Sequence, residues 1–261
     1  MWYAKYWNPQ MKPLPKHIME TLVAGPQASQ LLPSLDDVPL LAEPGYQHFE
    51  NGFGVTEDGA AIVAALTYMP NVIPKMWDWW FGWHGCDSRR YKLWNPDAHL
   101  YACWKNSLTK KTGSTDKEAY LNRTSFIDEF VGSTKLSLAL QFVSPTTFGF
   151  SENDFLDDQK STIICARVGL SEIPVDSGYL IHQIRRVNNG SEMRSRFWLG
   201  GKYISSRNSK KISSKQTVGN ENSMIWQAYS LLAHCAKEMN HLAAFLPAIY
   251  QEYLTDKSAK I

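Results

Sequence analysis

The chain has 261 residues, 44% of them hydrophobic and 20% charged, with a formal net charge of +2. That is enough apolar material for one sizeable domain, and it excludes disorder, collagen and coiled coil. Near-neutral charge argues against a nucleic-acid partner, and no apolar run reaches the roughly 18 residues of a membrane span.

Residues 1–58 are rich in Pro and Gly and weakly periodic, so an irregular N-terminal region is expected, with one short helix at Pro15–Val23. Residues 59–261 are expected to form the folded domain. Ala60–Tyr68 is apolar between Gly59 and Pro70 and reads as a buried strand. Pro74–His84 opens on Pro and lacks β-branched runs, which predicts a short, aromatic helix. From Ala98 the period becomes two: His99, Tyr101 and Cys103 on one face of a strand, Leu100, Ala102 and Trp104 on the other. Lys105–Glu118 is polar and reads as a loop. Leu136–Val143, Ser161–Leu170, Gly178–Val187 and Glu192–Leu199 follow as strands, and Asn189-Gly190 between the last two is a hairpin signal. Lys202–Asn222 is rich in Ser, Lys and Asn; it is a solvated loop or a cover over a pocket.

The chain closes with one long helix over Glu221–Tyr253, apolar nearly all round and therefore buried. Pro247 predicts a kink or an earlier stop. Antiparallel strands followed by such a helix give an α+β domain in which a curved sheet grips the helix. No internal repeat is visible.

The residues 1–30 carry no secretory pattern. Cys86, Cys103, Cys165 and Cys235 are scattered without a CxxC pair. A zinc ribbon is excluded, and reduced thiols in a cytoplasmic protein are expected. The 10 Trp either line a pocket or fill a core.

The chemistry-bearing residues lie in the last helix, at His234-Cys-Ala-Lys-Glu238. An i,i+4 pair stands about 40° apart and ~6 Å along the axis, a geometry that can close on one metal ion. The alternative is a hydrogen-bonded core His beside a partly exposed Glu. A carboxylate in so apolar a helix is costly unless paired or metal-bound. His241 shares the stripe and is a rival ligand. His99, and Asp128 or Glu129, are further donors. His182 lies mid-strand beside Leu180 and Ile184, where a core His is the default.

Met76-Trp-Asp-Trp-Trp-Phe-Gly-Trp-His84, followed by Arg89-Arg-Tyr-Lys-Leu-Trp-Asn-Pro-Asp-Ala-His99, resembles the diacetylphloroglucinol hydrolase and phloretin hydrolase family. His182-Gln-Ile-Arg, Gly190–Gly200 and the terminal His-x-x-x-Glu extend the resemblance over about residues 60–245. It implies a helix-grip fold like the START and pollen-allergen proteins. It implies a zinc ion held by His99, Glu129, His234 and Glu238, with His182 near the acyl group and Tyr91 as a phenol-binding residue. A further polar pocket residue of the family, just after His99, has no counterpart in Leu100-Tyr-Ala102.

The implied reaction is hydrolysis of an aryl–acyl carbon–carbon bond in an acylphloroglucinol-like polyphenol, a polyketide-type small molecule. The ring leaves as carbon only after protonation in its keto form. Zinc can polarise the carbonyl and acidify water, and His and carboxylate ligands also suit manganese and iron. Two other classes share the scaffold: a hydrophobic-ligand carrier, and a polyketide cyclase, esterase or decarboxylase. The sequence leaves a homodimer open.

Overall fold

A computed structural model describes residues 1–106, 115–207 and 221–255. Its frame is an antiparallel sheet of nine strands. The strands are β1 (Gly52–Val55), β2 (Ala60–Pro70), β3 (His99–Trp104), β4 (Thr124–Val131), β5 (Thr134–Val143), β6 (Ser161–Leu170), β7 (Val175–Val187), β8 (Gly190–Gly200) and the short β9 (Ser205–Ser206). Their spatial order is β1-β2-β8-β7-β6-β5-β4-β3, with β9 on β7. The helices are α1 (Lys16–Ala24), α2 (Pro74–His84), α3 (Ser88–Trp94), α4 (Glu221–Ala243) and α5 (Leu246–Thr255). This is the α+β helix-grip arrangement: the sheet bends around α4, which packs along β1 and β2.

Around β2, β6, β7 and β8 both faces of the sheet are covered. On the inner face Val63, Ala65, Ile184 and Met193 meet α4 through Ala228, Leu232 and Met239. On the outer face Ile62, Ala64, Ile181 and Trp198 meet Val38, Leu41 and Phe49 from the N-terminal region. That second layer explains why Ala60–Tyr68 is apolar without alternation. It is pinned by a buried ion cluster. Glu50 accepts from Arg194 Nε at 3.1 Å and from Arg196 at 2.8 Å, and the Trp198 indole donates to the Pro33 carbonyl at 3.0 Å.

The Asn189-Gly190 hairpin forms as expected, with Asn189 at φ 62. A Cβ on Gly190 would lie 2.2 Å from the Met69 carbonyl, because β2 closes over the turn there.

Besides the short β9, three elements escaped the sequence. β1 is glycine-rich, and α3 is a charged seven-residue helix capped by Asp87, which accepts from Arg89 N at 2.9 Å. In β4 the apolar Phe126 and Phe130 face outward while Ser125, Ile127 and Glu129 are buried, so its pattern is inverted. The terminal helix is two helices. The break falls at Ala244–Phe245, and Pro247 sits in the first turn of α5, where a missing N–H costs nothing. The first turns of α4 are open to solvent, and Trp226 is 65% exposed.

Of the expected loop over Lys202–Asn222, the start forms a 3-10 turn and β9, and the end begins α4. The cover proposed there falls on residues 208–220, outside the described residues; so does most of the polar loop, at 107–114. No helix among the described residues is long and apolar enough to cross a membrane.

Candidate functional site

His99 opens β3 and pairs in register with Glu129 of β4, so both side chains leave the sheet on the same side. A bulge between His99 and Tyr101 then shifts the parity of β3. His99, Ala102 and Trp104 are buried, while Tyr101 is exposed. The strand face expected to carry His99, Tyr101 and Cys103 together is therefore split. From the opposite wall α4 presents His234 and Glu238 one turn apart.

These four groups converge. Nitrogen or oxygen atoms of His99, Glu129 and His234 all lie within 4.8 Å of one another, a group able to hold a metal ion. Glu238 Oε2 stands 3.0 Å from His99 Nε2 and 3.2 Å from His234 Nε2. His99 Nε2 is also 3.6 Å from Glu129 Oε2. The far sides of both imidazoles are engaged by main chain. His99 Nδ1 donates to the Tyr91 carbonyl at 3.0 Å, and the Phe130 carbonyl accepts from His234. Backbone acceptors of this kind fix the tautomer and turn the Nε2 lone pair toward the cluster. Two lone pairs facing two buried carboxylates need a positive charge between them. The protein's own answer is a proton: burial pushes His234 down, but Glu238 overrides it and holds the imidazole up at about 9. Burial likewise pushes Glu238 up, yet His234 and His99 bring it down to about 2. A divalent cation would meet the same need, and His99, Glu129 and His234 are placed to hold one.

Tyr91 of α3 braces this cluster. Its ring stacks on His99 and its hydroxyl donates to Glu129. Burial and the neighbouring Glu129 and Glu238 charges raise its phenol well above the usual value, so it keeps its proton. His84, at the end of α2, also stacks on Tyr91, at 5.7 Å. Burial lowers its imidazole to about 3, so it is neutral. Sequence reasoning did not single out His84; its only signal was its place at the end of the Trp-rich block.

The cluster lies at one end of a cavity of about 640 Å³ between the sheet and α4, lined also by Leu138, Val168, Leu180, Phe197 and Leu231. His182 of β7 lines it too. Its Nδ1 is 2.8 Å from Ser195 Oγ, its partner in register on β8, which leaves Nε2 for the cavity. Ser195 in turn hydrogen-bonds the Cys235 thiol of α4. Burial lowers His182 to about 4, against the opposing charge of Glu238. It is a neutral imidazole at pH 7.

The rival donors are elsewhere. Asp128 points to the other face of β4 and pairs with Lys135 at 3.5 Å. His241 sits beneath the N-terminal segment, accepting from Lys12 N at 3.3 Å, and is not on the cavity wall. Trp77, Trp79, Trp80 and Trp83 are buried packing residues. Trp79 stacks on Trp83 at 5.1 Å and meets Tyr250 at 5.3 Å, and none of the four lines the cavity.

The profile of the DAPG hydrolase PhiG domain matches residues 31–251. The chain belongs to that family. The family match takes in His99, Glu129, His182, His234 and Glu238 together. The 2,4-diacetylphloroglucinol hydrolase of Pseudomonas protegens is 29% identical over 97% of this chain and 85% of its own. The phloretin hydrolase of Eubacterium ramulus is 30% identical over 96% of this chain and 89% of its own. Among solved structures, human STARD10 aligns over 88% of this family member and 87% of its own chain, at TM-score 0.42 and 10% identity; the fold assignment rests on the strand order and the α4 packing above. The family is one of carbon–carbon bond hydrolases acting on aryl ketones.

Proposed function

We propose that this chain hydrolyses the bond between the ring and the acyl carbon of an acylphloroglucinol-like phenol, with zinc held by His99, Glu129, His234 and Glu238. The observation that carries this reading is the convergence of two imidazoles and two carboxylates, three of them buried and His234 half-buried, at the end of an apolar cavity in a member of this hydrolase family. A carrier needs the cavity but gains nothing from burying that cluster.

In the overall reaction water adds across the bond. The ring carbon gains a proton, the acyl carbon gains the oxygen, and a phenol and a carboxylic acid leave. The chemistry that zinc supplies in such a set is Lewis-acid polarisation of a carbonyl and acidification of water.

The protein's own groups do the rest. Tyr91 donates to Glu129 and still offers oxygen lone pairs, so it can accept from a ring hydroxyl. His182 is neutral and oriented by Ser195, with Nε2 toward the cavity, so it can take a proton or pass one to the ring. The apolar walls exclude bulk water and strengthen each polar contact at the cluster.

Elemental analysis of wild type and Glu238→Ala, with turnover of an acylphloroglucinol, tests the reading. About one zinc per chain in the wild type, lost with activity in the variant, is expected. A folded wild-type protein that takes up no zinc and turns over no acylphloroglucinol overturns it.

A further inference from the structure

The cavity is much longer than its polar end requires. Its lining on α4 runs from Ser223 to Glu238, about 22 Å of helix. On β7 it runs from Val175 to His182, about 23 Å of strand. Among the described lining residues the only carboxylates are Glu129 and Glu238, and no Lys or Arg is present. Beyond the cluster the sheet wall is mainly aliphatic, with Leu138 and Leu140 of β5, Val168 and Leu170 of β6 and Leu180 of β7; Leu136 stands beside the cluster in register with Glu129, and Ser177, Gln227 and Ser230 are polar points on the lining. At the outer end Trp226 lines the cavity while 65% exposed, its ring edge-on to Tyr229 at 5.2 Å.

A hydroxylated ring belongs at the cluster, where donors and acceptors meet it. A ring bearing only an acetyl group would leave that aliphatic wall against water. We propose that the acyl group removed is a medium-length alkanoyl chain that runs from the cluster along β5–β7 toward Trp226. The span beyond the ring admits roughly eight carbons, within the ordinary size range of a ligand cavity. The balanced reaction is an alkanoylphloroglucinol plus water giving phloroglucinol and the alkanoic acid, with no redox partner. This inference rests on the hydrolase reading above.

The test is a series of monoacylphloroglucinols (acetyl, butanoyl, hexanoyl, octanoyl) turned over by the zinc-loaded protein. Binding of the matching alkylresorcinols, which lack the scissile carbonyl, is measured beside it by calorimetry. Each buried methylene is expected to raise kcat/KM and affinity about threefold to fourfold, up to the octanoyl member. A best substrate of acetyl, or a flat series, overturns the inference while the hydrolase reading stands. No turnover of any member, with affinity still rising along the alkylresorcinols, overturns the hydrolase reading and keeps the apolar channel. No turnover and no rise in affinity overturns both. Leu170→Trp, which narrows the channel midway, is expected to move the optimum to a shorter chain; an unmoved optimum counts against the proposed path.

Discussion

The Tyr91 ring lies flat on the His99 ring, centroids 3.7 Å apart and planes 5° from parallel. The Tyr91 carbonyl accepts from His99 Nδ1, and its hydroxyl donates to Glu129. One residue of a seven-residue helix thus orients two of the four proposed ligands.

Tyr91→Phe keeps the stack and the carbonyl but frees Glu129. Zinc affinity is expected to fall about tenfold to a hundredfold, the usual cost of losing a group that orients a ligand. Competition with a fluorescent chelator measures it. Affinity within twofold of wild type would remove Tyr91 from that role.

Ser195 is the partner that holds His182. Ser195→Ala is expected to lower kcat on an acylphloroglucinol about tenfold, with zinc content and KM near wild type, since only proton transfer suffers. Ser195→Thr, which keeps a hydroxyl, should restore part of the loss. A rise in KM with unchanged kcat would place Ser195 in binding instead.

The outer layer has its own pH signature. Burial pushes the Glu50 carboxyl up, but Arg194 and Arg196 outweigh it and hold it at about 2, below its ordinary 4.5. Because the folded value is the lower one, Glu50 stabilises the fold above about 4.5, and that contribution fades as pH falls toward about 2. Glu50→Gln should cost about 3 kcal/mol at pH 7, by leaving two buried guanidiniums without their carboxylate. Urea unfolding of both proteins from pH 7 to pH 3 should show that difference shrinking. A constant difference would mean that the ion cluster contributes nothing through charge.

The tryptophans of α2 give a control. Trp77 is fully buried and off the cavity wall, so Trp77→Ala should cost about 3–5 kcal/mol through the void it leaves. Alkylresorcinol affinity of the folded variant should stay within twofold. A larger loss of affinity would make the Trp block part of the pocket after all.

Much of the frame was legible because its patterns are local. Ser161–Leu170 reads correctly end to end, and the Asn189-Gly190 turn announces the β7–β8 hairpin. β4 did not, because its single buried carboxylate and its outward Phe126 and Phe130 serve the site and the sheet surface rather than an ordinary core. The bulge after His99 was equally hidden: a parity shift depends on pairing with β4, and nothing in residues 99–103 alone requires it.

By itself the sequence determined the types of most elements, the i,i+4 spacing of His234 and Glu238, and the motif blocks that resemble the hydrolase family. Helical and strand periods are properties of a short segment, and those patterns are written in consecutive residues. Tertiary structure decided which donors meet. It turned Glu129 inward and Asp128 outward, sent His241 under the N-terminal segment, and brought both His84 and His99 against the Tyr91 ring. It also separated the buried Trp block from the wall of the cavity. Residues far apart in the chain come together only through strand register and helix placement, and those are set by the packing of the whole sheet around α4.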